Sequence, residues 1–198
     1  MTLENEKFRV TIKEDPCYTI DSADNKPYDV VWNPMGIKRT NDYMNRALVI
    51  EVCQGEESYQ GVLLAEMLGF FDGKDCAILA DDCLTVLCFQ GLIQVNLVIR
   101  EVLFCRELSI LGGTMAIYLC PEGIDGYVVW GETEIVKLNR NFEVEWTKSG
   151  ADIFVSLTEK PAFQMTKERI VLNDFLGNHY ELDYQGNILL SRPGTSDA

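Results

Sequence analysis

An all-β fold of mostly antiparallel meanders, with little helix, is what this sequence predicts. Three observations carry that expectation. Short apolar runs of about five residues, the usual strand length, recur from Ala47 to the C-terminus. Gly, Asn or Asp stands between nearly all of them, which is the punctuation of hairpins. No segment carries an apolar stripe at helical spacing over three turns. The chain has 198 residues, 47% of them hydrophobic and 24% charged. That is one ordinary domain by length, large enough for an apolar core without staples.

The elements follow in order. KFRVTIK (7–13) alternates and reads as a strand, and PYDVVW (27–32) as another. Between them EDPCYTIDSADNKP is rich in turn formers. Residues 1–45 therefore read as an irregular lead-in packed on a repeated β-meander body spanning 46–198. ALVIEVC (47–53) is strand-like, QGEES a loop, and VLLAEMLGFF (62–71) fits either a short helix or a strand. CAILA (76–80), LTVLCF (84–89) and the alternating IQVNLVIREVLF (93–104) come next. TMAIYL, YVVW, TEIVKL, FEVEW, DIFVSL, AFQM, RIVLN, HYELDY and NILL complete the series to residue 190.

A weak repeat runs through this series. GETEIVKLNRNFEVEW (131–146), moved forward 46 residues, meets GNHYELDYQGNILL (177–190) and puts Gly131 on Gly177 and Leu138 on Tyr184. Moved back 49, it meets DDCLTVLCFQGLIQV (81–95). Periods of this size suggest partial propeller-like repeats. A two-sheet sandwich is the alternative, because any set of antiparallel hairpins aligns to some degree.

Charge excludes more than it identifies. Lys plus Arg is 17 and Asp plus Glu is 31, a formal net charge of −14. Residues 1–99 hold 8 basic and 16 acidic side chains, and residues 100–198 hold 9 and 15, so the excess is spread along the chain. Such a field repels phosphate backbones and anionic lipid, and it attracts a basic protein. Direct nucleic-acid binding and membrane binding are not expected. MTLENEKFRV shows no apolar leader run. Seven cysteines, an odd number with no CxxC pair, sit mostly in apolar runs. They read as buried small hydrophobes in a reducing compartment, and the expected location is cytoplasmic.

Catalytic chemistry finds little support. His179, in GNHYELD, is the only histidine, so any His-dependent triad must recruit it. Cys83 and Cys88 are five apart in a strand and point to opposite faces, which argues against zinc. GFFDGKD (69–75) misses the phosphate-loop pattern, with too few residues between its glycines and Asp75 where Ser or Thr belongs. No cofactor and no metal are implied. Glu132 with Glu134, Glu143 with Glu145, and Asp81 with Asp82 form carboxylate pairs. Such pairs could do acid–base work or bind cations. Equally, they are what the wet face of a half-buried strand looks like, as Phe142, Val144 and Trp146 alternating with Glu143 and Glu145 suggest.

The runs WTKSGADIFV (146–155) and IVLNDFLGNHYELDYQGN (170–187) resemble a group of small bacterial β-rich proteins, and the strand–turn–strand ends of propeller blades in general. The resemblance extends well over about 146–190 and loosely over 45–145. It implies an all-β fold and carries no activity, so no functional residue comes with it.

The leading expectation is a non-enzymatic acidic interaction protein, immunity- or antitoxin-like, that occludes a basic protein partner. Asp81, Asp82, Glu132, Glu134, Glu143 and Glu145 are the candidate contacts, standing in for phosphates. The alternative is a small-ligand-binding protein or hydrolase with a pocket near strand-end loops at Asp152, Asp174 and His179. A third reading, a subunit of a larger assembly, predicts an exposed apolar patch or an uncovered strand edge.

Overall fold

The computed structural model describes residues 1–40, 42–68, 75–156 and 160–194. Among them there is no helix, and the strands fall into four sheets. The chain divides into two compact units, Met1–Leu108 and Ser109–Ala198.

In the first unit, β1 (Thr2–Glu4), β2 (Arg9–Glu14), β3 (Val30–Trp32), β4 (Asn45–Gln54) and β5 (Glu57–Glu66) form one sheet in the order β1-β2-β4-β5-β3. All its pairs are antiparallel except β3 with β5. The segment read as a lead-in thus supplies three of the five strands. VLLAE resolves as strand, because the run continues β5 opposite Asn45 to Val49.

Ala47–Ile50 of β4 and Val62–Ala65 of β5 are continuous apolar runs because both of their faces are covered there. Leu48, Ile50, Val52, Leu63 and Ala65 share a core with Ala77, Leu84, Val86, Ile93 and Val95 of the next sheet. Ala47, Val62 and Leu64 face the other way, and Tyr18, Ile20, Tyr28 and Ile37 from the turn-rich segment pack on them. That is the task of EDPCYTIDSADNKP: its aromatic residues roof the back of the sheet. Tyr28 Oη donates to the half-buried network at Asp15 Oδ2, 2.5 Å away.

The second sheet is a four-stranded antiparallel meander: β6 (Ala77–Ala80), β7 (Cys83–Cys88), β8 (Gly91–Asn96) and β9 (Glu101–Glu107). The alternating run 93–104 is therefore two strands. Asn96 Oδ1 accepts from the backbone N–H groups of Val98 and Ile99, and Arg100 takes φ 59°. A side chain that captures backbone donors two and three residues on turns the chain there.

The second unit holds two more such meanders. One is β10 (Thr114–Leu119), β11 (Tyr127–Gly131), β12 (Glu134–Leu138) and β13 (Val144–Ser149). The other is β14 (Phe163–Met165), β15 (Ile170–Asn173), β16 (His179–Leu182) and β17 (Ile188–Arg192). Cys120, Val128 and Ile135 pack with Ile170, Leu172, Leu182 and Tyr184 between these two sheets. DIFVSL, expected as a strand, is not one over 152–156. Phe154, 1% exposed, plugs this same core, and its N–H bonds the carbonyl of Glu132. Its apolar character serves a plug and not a sheet.

Three of the four sheets are thus antiparallel meanders in chain order, the architecture of a propeller blade. The repeat in the second unit has an offset of 44 residues, not 46. Leu138 pairs Val144 and Leu182 pairs Ile188, each just after a bulge. Asn139 and Asp183 then begin the same five-residue turn.

Candidate functional site

One end of the first unit gathers acidic turns. The β1–β2 turn presents Glu4 and Glu6, the tip of the β4–β5 hairpin presents Glu56, and the β6–β7 turn presents Asp81 and Asp82. Register puts Arg9 opposite Cys53, so the first two turns lie side by side. The third is tied to them twice: Asn5 Nδ2 donates to the Asp81 carbonyl (2.9 Å) and Lys7 Nζ to Asp82 Oδ1 (2.9 Å). A shallow concavity of about 280 Å³ runs between Glu4, Glu6, Arg9 and Gly55. Asp81 sits at φ 49°, a conformation Asp tolerates better than most residues, and its side chain points into solvent. Lys7 is pulled above its ordinary value by Asp82 first, with Asp81 and Glu6 adding to the field. Arg9 is likewise raised by Glu4. Five carboxylates face two cations, so the rim stays acidic.

The other four candidate acids lie in the second unit. Glu132 is in the β11–β12 turn and Glu134 opens β12, so they do not share a strand. Glu134 is held on both oxygens, by the Leu111 N–H (3.0 Å) and the Ser149 hydroxyl (3.3 Å). Glu143 precedes β13 and accepts from Asn139 Nδ2 (2.8 Å). Glu145 accepts from the buried Lys137 (2.8 Å). Three of the four carboxylates are thus engaged within their own sheet.

Asp174 and His179 lie near one another, across the β15–β16 turn. Asp174 is 2% exposed. Its Oδ1 accepts from Asn178 N–H, and its Oδ2 from Asn178 Nδ2 and the Tyr180 hydroxyl. His179 Nδ1 is 2.9 Å from Asn173 Oδ1, and Nε2 is 3.3 Å from Glu181 Oε1. Asn173 Nδ2 donates to the Pro161 carbonyl, so its Oδ1 faces the imidazole as an acceptor. Glu181 also pairs with Arg169, and that contact, with His179 second, holds its carboxyl below the usual range. Asp152 bonds its neighbour's N–H, Ile153 (2.7 Å). Asp174 is a turn cap and His179 the middle of a hydrogen-bonded row on β15 and β16. Among the described residues no group of three His, Cys, Asp or Glu is arranged to hold a metal ion. The phosphate-loop near miss lies outside the described residues, apart from Asp75.

Two further concavities belong to the first unit. One, of about 380 Å³, is walled by Met35, Glu66, Cys88, Gly91 and Cys105. The other, of similar size, lies between the β4–β5 hairpin and the β8–β9 turn. Neither is legible in the sequence, because each is built from residues far apart in the chain. The signal nearest to the second was the apolar Val98-Ile99 before Arg100, which reads as strand until Asn96 is recognised as a turn former.

No family model matches the chain, and no curated protein matches it. Solved structures do show distant structural similarity to β-propeller proteins. BamB from Moraxella catarrhalis aligns at 15% identity and TM-score 0.43, over 85% of this chain and 53% of that one. The Pan2 WD40 domain of Neurospora crassa aligns at 12% identity and TM-score 0.45, over 78% and 48%. AztD from Citrobacter koseri aligns at 11% identity and TM-score 0.48, over 98% and 59%. The chain spans about half to three-fifths of the length of these proteins.

Proposed function

We propose that this protein is a non-enzymatic acidic interaction module that captures a basic protein partner, in the manner of an immunity protein, in the cytoplasm. The observation that carries the reading is the rim of Glu4, Glu6, Glu56, Asp81 and Asp82. Three separate turns converge there, and among the described residues only Lys7 and Arg9 oppose them. The rim is exposed, shallow and fixed by hydrogen bonds between its turns. Those properties suit electrostatic capture of a lysine- or arginine-rich surface, where complementary charge speeds encounter and sets register. Occlusion of the partner's anion-binding surface is the mechanism that follows. The engaged state of Glu134, Glu143 and Glu145 favours a supporting role in their sheet, and leaves the exposed Asp81 as the more direct contact, beside Asp82 in its pair with Lys7.

The test is salt-dependent affinity capture from host lysate with two proteins side by side. One is the native chain, and the other carries Glu6→Gln, Glu56→Gln and Asp81→Asn, which leaves the Lys7–Asp82 pair intact. A basic protein retained at low salt, released at high salt and lost on the variant supports the reading. Equal retention by both proteins, or no basic protein at all, ends it.

A further inference from the structure

The concavity between the β4–β5 hairpin and the β8–β9 turn is independent of the acidic rim, and its chemistry is different. Its volume is about 380 Å³, the lower range of small-molecule sites. Val98, 53% exposed, gives it an apolar wall over the buried Val52 and Leu97, and Tyr59, Arg100 and Glu57 its polar features. Arg100 is fixed from several sides. Its backbone is left-handed at φ 59°, and its carbonyl accepts from Trp32 Nε1 at 2.8 Å. The Trp32 indole in turn fits only because residue 61 is Gly, where a Cβ would stand 2.2 Å from the ring. The Arg100 guanidinium lies over the Tyr59 ring, 4.2 Å from its centroid. Tyr59 is itself pinned, its hydroxyl donating to the Leu97 carbonyl at 2.8 Å. Burial pushes that phenol up to about 12 against the opposing pull of Arg100, so it stays a neutral donor.

Stacking occupies the face of a guanidinium and leaves the in-plane N–H fork available. Among the described residues Arg100 makes no ion pair, although acids outnumber bases nearly two to one in this chain. Beside that cation, Val98 is 53% exposed and Ile99 is 56% exposed. A preset fork without a direct ion pair, next to uncovered apolar side chains, is matched by an anion on an apolar body. Glu57 at the rim repels a second negative charge.

We propose that this cavity binds a small monocarboxylate carried on a short apolar chain, its carboxylate on the Arg100 fork and its chain against Val98. The test is isothermal titration of the full chain with hexanoate, hexanol and glutarate, alongside amide NMR of residues 97–100. Hexanoate binds saturably and shifts those amides, while hexanol and glutarate bind about tenfold more weakly or not at all. Arg100→Gln weakens hexanoate about tenfold, and Arg100→Lys by less, because the charge remains and the fork is lost. Val98→Ser, at an exposed position that leaves the fold intact, weakens it several-fold. Failure of the native chain to bind hexanoate at millimolar concentration overturns the proposal. So does equal binding of hexanol, or undiminished binding by folded Val98→Ser together with either Arg100 variant.

Discussion

The ammonium of Lys137 meets Glu145 Oε2 at 2.8 Å from inside the sheet, the lysine side chain 2% exposed and the glutamate 47%. Lys137 also donates to the carbonyls of Asp125 (2.6 Å) and Leu138 (2.9 Å). All three of its protons are therefore used, which is how a charge is tolerated under a strand. Gly126 roofs it: at φ 86°, a Cβ there would stand 2.0 Å from the Leu138 carbonyl oxygen. Lys137→Met strands two carbonyls and is expected to cost about 2 kcal/mol in urea unfolding. Glu145→Gln is expected to cost under about 1 kcal/mol, because water reaches that end of the pair. A larger loss for Glu145→Gln than for Lys137→Met would show that the carboxylate, and not the carbonyls, is what holds the ammonium.

Three turns of the second unit share one geometry, and one of them breaks the sequence rule for it. Asp174, Asp183 and Asn139 each accept, through the side chain, the N–H of the residue four on. The fourth residue is left-handed in each: Gly177 at φ 81°, Gly186 at 82° and Phe142 at 59°. Phe142 holds that conformation at a cost of roughly 1–2 kcal/mol. It is 4% exposed and its ring stacks on Tyr127 at 4.3 Å between centroids. Losing a buried phenyl costs about 3–5 kcal/mol, so packing wins. Phe142→Gly is expected to destabilise by about 2 kcal/mol in spite of relaxing the backbone. An unchanged or raised midpoint would mean that the stack contributes little.

Those turns also show what the sequence made legible. DFLGN and DYQGN carry a common signature in plain letters, and the blade-like strands between them could be read from alternation alone. NRNFE hides the same turn, because Phe142 replaces the glycine for the sake of a ring contact 15 residues away in sequence. The alignment by Gly131 and Gly177 therefore slipped two residues from the true equivalence of Asn139 with Asp183. Phe154 looked like strand for a similar reason: hydrophobicity reports burial and not the element that achieves it. Asp81 and Asp82 could be picked out locally, but Glu4, Glu6 and Glu56 join them only through the pairing of β2 with β4. The partners of Glu134 and Glu145 came from other strands or loops, out of reach of spacing arguments.

Acid sensitivity follows from a set of carboxyls held below their ordinary value. Asp15 is lowered first by the Tyr28 hydroxyl, then by the Cys17 and Tyr18 N–H groups. Asp183 is lowered first by the Asn187 side chain. In the unfolded chain these groups take up a proton near 3.8; in the native chain they do so only at lower pH. The unfolded state therefore binds more protons in that interval, and stability falls as pH drops through it. Tyr28 contributes the opposite limb. Burial first and Asp15 second raise its phenol, so its share of stability is present below pH 10 and lost as pH climbs above. Asp15→Asn is expected to flatten the dependence of the urea midpoint below pH 4. An unaltered slope would place the acid sensitivity elsewhere.

Thiol reactivity separates the seven cysteines by burial. Cys17, Cys53 and Cys105 are exposed, Cys83 is half-buried, and Cys76, Cys88 and Cys120 are buried. The thiolate is the reactive form, and burial pushes the Cys88 thiol far up, with Glu66 adding to the effect. Cys105 is raised more modestly by partial burial and by the same Glu66. Iodoacetamide at pH 8 is therefore expected to label Cys17 and Cys53 first and Cys105 more slowly. Cys88 should react only when β7 opens, so urea that unfolds the first unit exposes Cys76 and Cys88 together. Glu66→Gln is expected to speed Cys105 and leave Cys17 unchanged. Peptide mapping by mass spectrometry reads each site separately, and early labelling of Cys88 in native buffer would show that the end of β7 opens on its own.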